Sequence, residues 1–458
     1  MHPFQQTGAI LFALASIASA QSSSATPSSS ASPSSSSNSG ILAQTSPAWL
    51  PQFAAPSGVN SGYPTGALDT STTLDKATLN LTDYPEPWAA ATTDHPEVKA
   101  AYNAIDWTKV PDAPPNKADS NGDITFGDYD QNTDPYCWWS DTNCVKPKVN
   151  YLPEDVYYCP KAGDWGLNYD DGPYNPSDSD ALLNNYSEPV LYNFLAENNN
   201  QKATLFYIGS NVVTYPAAAK RAINDGLVIC VHTWSHPAMT TQTNEQVVAE
   251  FYWTLRAIKE AVNVTPKCWR PPFGDVDDRV RAIAWQMGMT TMIWNKDSND
   301  WNMPGDGGGN LPWDTVDGYF EGWVEARKNG SDNTVGTICL EHELNNATVK
   351  MTEKWLPTLQ QTFDVKSIHD CLGITQPYWE DKWVYPANAS GNSTIGNSSS
   401  TASSSAATSS SSNGGSAAAA GASSGSSAAE SSTSSASIMS LPSVALGFAM
   451  VVAGVFIS

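Results

Sequence analysis

Five short segments spaced along the middle of the chain carry side chains able to bind a metal or move a proton. His232-Thr-Trp-Ser-His236 sets two imidazoles four residues apart, which places both on one face if the segment turns helically. That spacing suits a pair of metal ligands, and it suits two packed core histidines as well. Upstream lies Asn168-Tyr169-Asp170-Asp171-Gly172-Pro173, with adjacent carboxylates before a Gly-Pro breaker. At a strand end the alternation of side chains is lost, so both carboxylates can face one pocket; a solvated acidic turn is the plainer reading. One Asp with two His makes the open three-ligand shell of a catalytic zinc, with water in the fourth place. The second carboxylate would then be free to act as a base.

Three more segments offer polar groups of complementary kinds. Arg270-Pro-Pro-Phe273 supplies a cation that could hold a carboxylate ionised and oriented, or a surface Arg before a Pro-rich turn. Asp297-Ser-Asn-Asp300-Trp301 reads as a capped loop or as acidic support for a neighbour. Leu340-Glu-His342-Glu343 carries a lone His, which alone would be structural as readily as catalytic. Each signal is weak by itself, but five such clusters at five successive strand ends are not a coincidental set.

The elements that must position them follow from periodicity. Short β-rich runs over 203–209, 227–231, 267–270, 290–294 and 335–340 alternate with helical patterns over 216–225, 277–287, 313–327 and 348–361. Pro216 and Gly226 bracket the first of those helices. Thr243 and Gln246 have capping-box spacing, and Val247, Phe251, Leu255, Ile258 and Val262 continue the apolar face of a long helix. Repeated β-then-α units predict an α/β fold with a parallel sheet, closed or nearly closed as a barrel, and chemistry where strands end.

Composition narrows the partners. The 458 residues carry 23 Lys+Arg against 46 Asp+Glu, a net charge of -23, which excludes nucleic acid as a partner on bulk charge. Charged residues are only 15%, while 17 Trp and 18 Tyr suit polar, uncharged partners such as sugars. Residues 1–20 read as a secretory signal peptide ending in Ala-Ser-Ala, and 21–40 as a Ser/Pro-rich linker. An irregular N-terminal extension is expected over 41–155, the catalytic domain over 156–385, and a disordered Ser/Ala-rich glycosylated stalk over 386–427. Residues 428–458 end in an apolar run with no basic residue after it, the pattern of a GPI-anchor signal removed on maturation. The chain is therefore expected to be secreted and held at the plasma membrane or cell wall through lipid only, as a monomer. Sequons at Asn80, Asn185, Asn263, Asn329, Asn346, Asn388, Asn392 and Asn397 fit a glycosylated exterior.

Seven cysteines in an oxidising compartment leave at least one unpaired. The expected pairs are Cys137 with Cys144 and Cys159 with Cys371. Cys230, Cys268 and Cys339 sit in strand-like apolar runs and read as buried free thiols.

In order and spacing the five segments resemble those of the polysaccharide deacetylases of carbohydrate esterase family 4, over about residues 156–370, and in particular its GPI-anchored fungal members that act on chitin. The resemblance implies a distorted (β/α) barrel. It implies Asp171, His232 and His236 as metal ligands for Zn²⁺, with Co²⁺ as an alternative, and Asp170 as general base paired with Arg270. It further implies His342 as general acid tuned by Asp300, the Phe273 backbone N–H as oxyanion donor, and Trp301, Leu340 and Tyr169 around the acetyl group. The implied reaction removes N-acetyl groups from N-acetylglucosamine residues of chitin, giving chitosan and acetate. Acetylated xylan, peptidoglycan or a non-catalytic wall role stay open. One departure is that the first segment begins Asn168-Tyr169 where the family has Thr-Phe.

Overall fold

The apolar residues spaced three and four apart from Val247 onward fold as a helix over Asn244–Val262, closed at its start by the expected reciprocal capping box between Thr243 and Gln246. Asn263 ends it in the left-handed conformation (φ 60°). The helix packs against the sheet and against shorter neighbours, so nearly its whole apolar length is buried.

The computed structural model describes residues 46–59, 70, 73–119, 124–175, 189–305 and 307–380. The expected leader, linker, stalk and anchor signal, with Asn185, Asn388, Asn392 and Asn397, lie outside the described residues. In chain order the helices are α1 (Pro96–Asn103), α2 (Trp139–Thr142), α3 (Val190–Glu197), α4 (Gly209–Thr214), α5 (Pro216–Asn224), α6 (Asn244–Val262), α7 (Asp278–Gln286), α8 (Trp313–Lys328), α9 (Asn346–Thr362) and α10 (Ile368–Cys371). The strands are β1 (Lys117–Ala118), β2 (Ile124–Thr125), β3 (Asp164–Asp170), β4 (Thr204–Tyr207), β5 (Val228–Val231), β6 (Cys268–Trp269), β7 (Thr290–Thr291), β8 (Lys296–Asp297), β9 (Thr337–Leu340) and β10 (Asp364–Ser367).

β1 and β2 form a small antiparallel hairpin. The main sheet runs β7-β6-β5-β4-β3-β9-β8 with every pairing parallel. β10 also pairs with β3, along its first half, where Asp364–Ser367 matches Asp164–Leu167. No ladder joins β7 to β8 among the described residues, so the sheet curls into an open barrel. Strands β3, β4, β5 and β9 are buried at every position because helices cover one face and the barrel interior fills the other, which is why β4, β5 and β9 read as mostly apolar runs.

The parallel direction brings all strand C-termini to one rim. Among its described residues the 41–155 region is mostly irregular, with a few short elements inset. It contains α1, the hairpin and α2, and α1 is laid against α6. These short elements draw their stability from packing on the barrel rather than from periodicity of their own.

Disulfides join Cys137 to Cys144 and Cys159 to Cys371. The reading of Cys230 and Cys268 as free thiols is corrected: they are bonded to each other. Their strands, β5 and β6, are adjacent in register, with Val231 opposite Trp269, and that puts the preceding pair of Cα atoms 5.1 Å apart. Cys339 alone is free, and it is buried.

The Cys159–Cys371 bond ties the chain just before β3 to α10 across a separation of 212 residues. Replacing both by Ser is expected to cost about 2–5 kcal/mol, read as a lowered denaturant midpoint.

Candidate active site

β3 ends at Asp170, and Asp171 turns the chain with φ 78°, so that two successive carboxylates leave the strand toward the rim. His232 follows β5 directly, Arg270 follows β6, Asp300 stands in the turn after β8, and His342 lies just past β9. The backbone extends β9 beside β3 at this point: Asp170 N–H donates to Glu341 O at 3.0 Å and Glu343 N–H to Asp170 O at 3.1 Å. Five segments far apart in sequence therefore share one mouth.

Asp171, His232 and His236 each present one ligand atom, all within 4.8 Å of one another. His236 Nε2 is 3.3 Å and His232 Nε2 3.5 Å from Asp171 Oδ1, which is buried and takes no hydrogen bond. His232 Nδ1 lies 2.8 Å from the Arg270 carbonyl oxygen, an acceptor, so that nitrogen carries the proton and Nε2 keeps its lone pair for a cation.

The turn between the histidines is not a regular helix. Thr233 and His236 both have positive φ (66° and 58°). Buried Glu250 of α6 holds it, accepting from Trp234 N, Ser235 N and Ser235 Oγ at 2.7–2.8 Å. Burial raises the Glu250 carboxyl, against the hydrogen bonds that favour its charge. Burial likewise opposes the Asp171 carboxylate, but the two imidazoles outweigh it and hold that group well below the ordinary range.

Asp170 is gripped from one side. Arg270 Nη1 donates to Asp170 Oδ1 at 2.7 Å and to Asn168 Oδ1 at 2.5 Å, while Nε and Nη2 reach the Met292 and Ile293 carbonyls. The guanidinium is fully buried and stacked 4.0 Å from the Phe206 ring, with Trp294 at 5.6 Å. Burial lowers the pKa of Arg270 and the Asp170 charge opposes that. Asp170 Oδ2 remains on the side of the triad, 3.9 Å from His232 Nε2.

Asn168, the position where the first segment departs from Thr-Phe, is thus the second acceptor for Arg270. Sequence reading gave it no role, although the period of two in a strand places it on the same face as Asp170.

His342 is fixed twice by Asp300: Nδ1 is 2.7 Å from Oδ1, and its backbone N–H donates to Oδ2 at 2.8 Å. Ser298 ties the backbone of that turn to β9, receiving the Asp300 N–H and donating to Leu340 O. Burial disfavours the imidazolium, but Asp300, then Asp171 and Asp170, outweigh it and push the His342 pKa up to about 10.

Phe273 has a left-handed backbone (φ 59°), and its ring, 61% exposed, meets the edge of His236 at 4.7 Å. Its N–H makes no hydrogen bond among the described residues. Trp301 is 43% exposed beside Asp300, and Leu340 is buried at the end of β9. Tyr169 is a correction: it is fully buried on the face of β3 opposite Asp170, so strand alternation keeps it away from any substrate. Asn80 and Asn329 are exposed, and Asn263 and Asn346 are half-buried.

The model of the polysaccharide deacetylase family matches residues 158–292, a span that holds the triad, Asp170, Arg270 and Phe273. The chain is 40% identical over 326 residues to a chitin deacetylase of Amylomyces rouxii, covering 70% of this chain and 73% of that one. It is 38% identical to chitin deacetylase 2 of Cryptococcus neoformans var. grubii, over 69% of this chain and 68% of that one. Among solved structures it is similar to the chitin deacetylase of Colletotrichum lindemuthianum, at 22% identity and a TM-score of 0.42, over 50% of this chain and 96% of that one.

Proposed function

The chain belongs to the polysaccharide deacetylase family, and on that premise we propose that it hydrolyses the N-acetyl groups of N-acetylglucosamine units in chitin, releasing acetate. The observation that carries this reading is the donor triad beside the Asp170–Arg270 pair, with His342 across the same rim. The relatives' substrate supports chitin as the polymer.

The residues fit a divalent cation. One buried carboxylate oxygen without a hydrogen bond of its own converges with two imidazole nitrogens, and His232 Nδ1, facing the Arg270 carbonyl, leaves Nε2 as a free ligand atom. Two His and one Asp suit Zn²⁺, and Co²⁺ less commonly. When bound, the cation polarises the acetamide carbonyl and brings the pKa of an attacking water from 15.7 toward about 7.

The protein's own groups do the rest. Asp170, oriented by its pairing with Arg270, takes the proton from the attacking water. The Phe273 N–H faces the oxygen on which negative charge grows. His342, cationic through Asp300, gives its Nε2 proton to the departing amine, because Nδ1 is committed to Asp300. No covalent intermediate is required. On the same reading the chain works as a secreted monomer held at the cell surface or wall by a GPI lipid, with glycans on its sequons; the apolar C-terminal run and the sequon number support that placement.

The deciding experiment is acetate release from chitin oligomers, with acetylated xylan alongside, before and after treatment with a chelator. Release from chitin that is abolished by chelation and restored by Zn²⁺ is expected. Release from xylan alone, or no response to the chelator, contradicts the reading.

A pH dependence follows from His342. A general acid must be protonated, so activity falls as pH rises through its pKa, which Asp300 holds above the ordinary value. Asp300→Asn removes the largest raising influence. The alkaline limb of the kcat profile should move to lower pH; an unmoved limb would take His342 out of that role.

A further inference from the structure

The N-terminal extension touches the turn after β6 at the active-site rim, and there it does more than cover the barrel. Phe273 and Gly274 are consecutive residues with positive φ (59° and 71°) in the turn after β6. An aromatic residue holds that conformation at a cost of about 1–3 kcal/mol and only where its surroundings enforce it.

The enforcing contacts come largely from residues 138–140. Asp275, fully buried, accepts from Trp138 Nε1 and Ser140 Oγ, both at 2.8 Å, and from Thr240 N and Oγ1 on its other side. Trp139 N–H donates to Val276 O at 3.0 Å. The Trp139 ring lies against Gly274 so closely that a Cβ there would fall 2.2 Å from it, and its edge meets Trp294 at 4.9 Å.

The segment that makes these contacts is itself closed into a clip. Cys137 and Cys144 are bonded, and Arg281 of α7 donates to both of their carbonyl oxygens. Rigid, cross-linked and anchored on α7, it presses on the turn that carries Phe273.

We propose that this clip from the extension is a positioning device for the Phe273 N–H, so that residues 137–144 serve the reaction as positioning residues although they lie outside the strand-and-helix repeat. The inference rests on the deacetylase reading above. An oxyanion donor acts only when held at hydrogen-bond distance from the developing charge, and losing one costs roughly 100-fold. Displacing it by a fraction of that distance costs part of the same factor.

The test is the full chain bearing Trp138→Phe with Ser140→Ala, which deletes two donors to Asp275 and keeps an aromatic ring at 138. We expect kcat on chitin oligomers to fall about tenfold, KM to stay within twofold, and Zn²⁺ affinity to be unchanged. Amide hydrogen exchange should speed up over 270–276 and not over 228–236. If the double variant does not fold, Ser140→Ala alone carries the same measurements with a smaller effect.

Unchanged exchange over 270–276, faster exchange there with kcat unaltered, or a fall in kcat matched by a fall in Zn²⁺ affinity would each overturn the proposal. A wild-type chain that releases no acetate overturns the deacetylase reading instead, and the exchange measurement still decides whether the clip holds the turn.

Discussion

Asp170→Asn should lower kcat by about 10²–10⁴-fold, the range a positioned general base contributes, with zinc content and fold retained. The substitution keeps the shape of the side chain. Its amide oxygen can still accept from Arg270 Nη1, so the buried guanidinium keeps both acceptors, Asn168 included. What is lost is the capacity to take a proton. Asp170 is also not one of the three converging donors, since Asp171 fills that place. Metal analysis beside the kinetics separates the two roles: a fall in rate together with a fall in metal would mean that Asp170 is a ligand, and a retained rate would mean that it is not the base.

His236→Ala is the second large effect, and it should remove metal and rate together. Two donors remain, Asp171 and His232, and two seldom hold Zn²⁺ against solvent where three are the rule. The fold should survive, because the His236 side chain is 22% exposed at the rim, where its ring meets those of His232 and Phe273. Binding to the native state alone raises stability by about 2.7 kcal/mol at a concentration 100 times Kd. Wild-type protein should therefore gain Tm when Zn²⁺ is added and the variant should not. A variant that still gains Tm and keeps its rate would remove His236 from the ligand set.

The parts of the site that read directly from the chain are those whose chemistry is local. Asp170 and Asp171 are neighbours, and His232 and His236 lie within one turn, so each pair can be paired by eye before any fold is known. The long helix α6 is equally legible, since a capping box and an apolar stripe are properties of consecutive residues. Less legible were β8 and β10, whose Lys-Asp and Asp-Val-Lys-Ser sequences offer no apolar run to mark a strand. Tyr169 shows the converse error: a residue beside a catalytic one in sequence is on the other face of the strand.

Long-range partners could not be seen at all. Cys230 and Cys268 become neighbours only because β5 and β6 lie side by side in register. Glu250 reaches the histidine turn from the second turn of a helix, and Asn168 matters only because Arg270, a hundred residues on, points at it.

From the amino acids alone one obtains the alternation of strand and helix, the groups able to bind a cation or carry a proton, and the rim on which they must lie, because propensity and side-chain chemistry are carried by adjacent residues. The folded molecule alone decides which nitrogen of His232 keeps its lone pair, which oxygen of Asp170 Arg270 covers, and that residues 138–140 press on the turn bearing Phe273. Those are matters of distance between segments remote in the chain, and distance is set by packing of the whole.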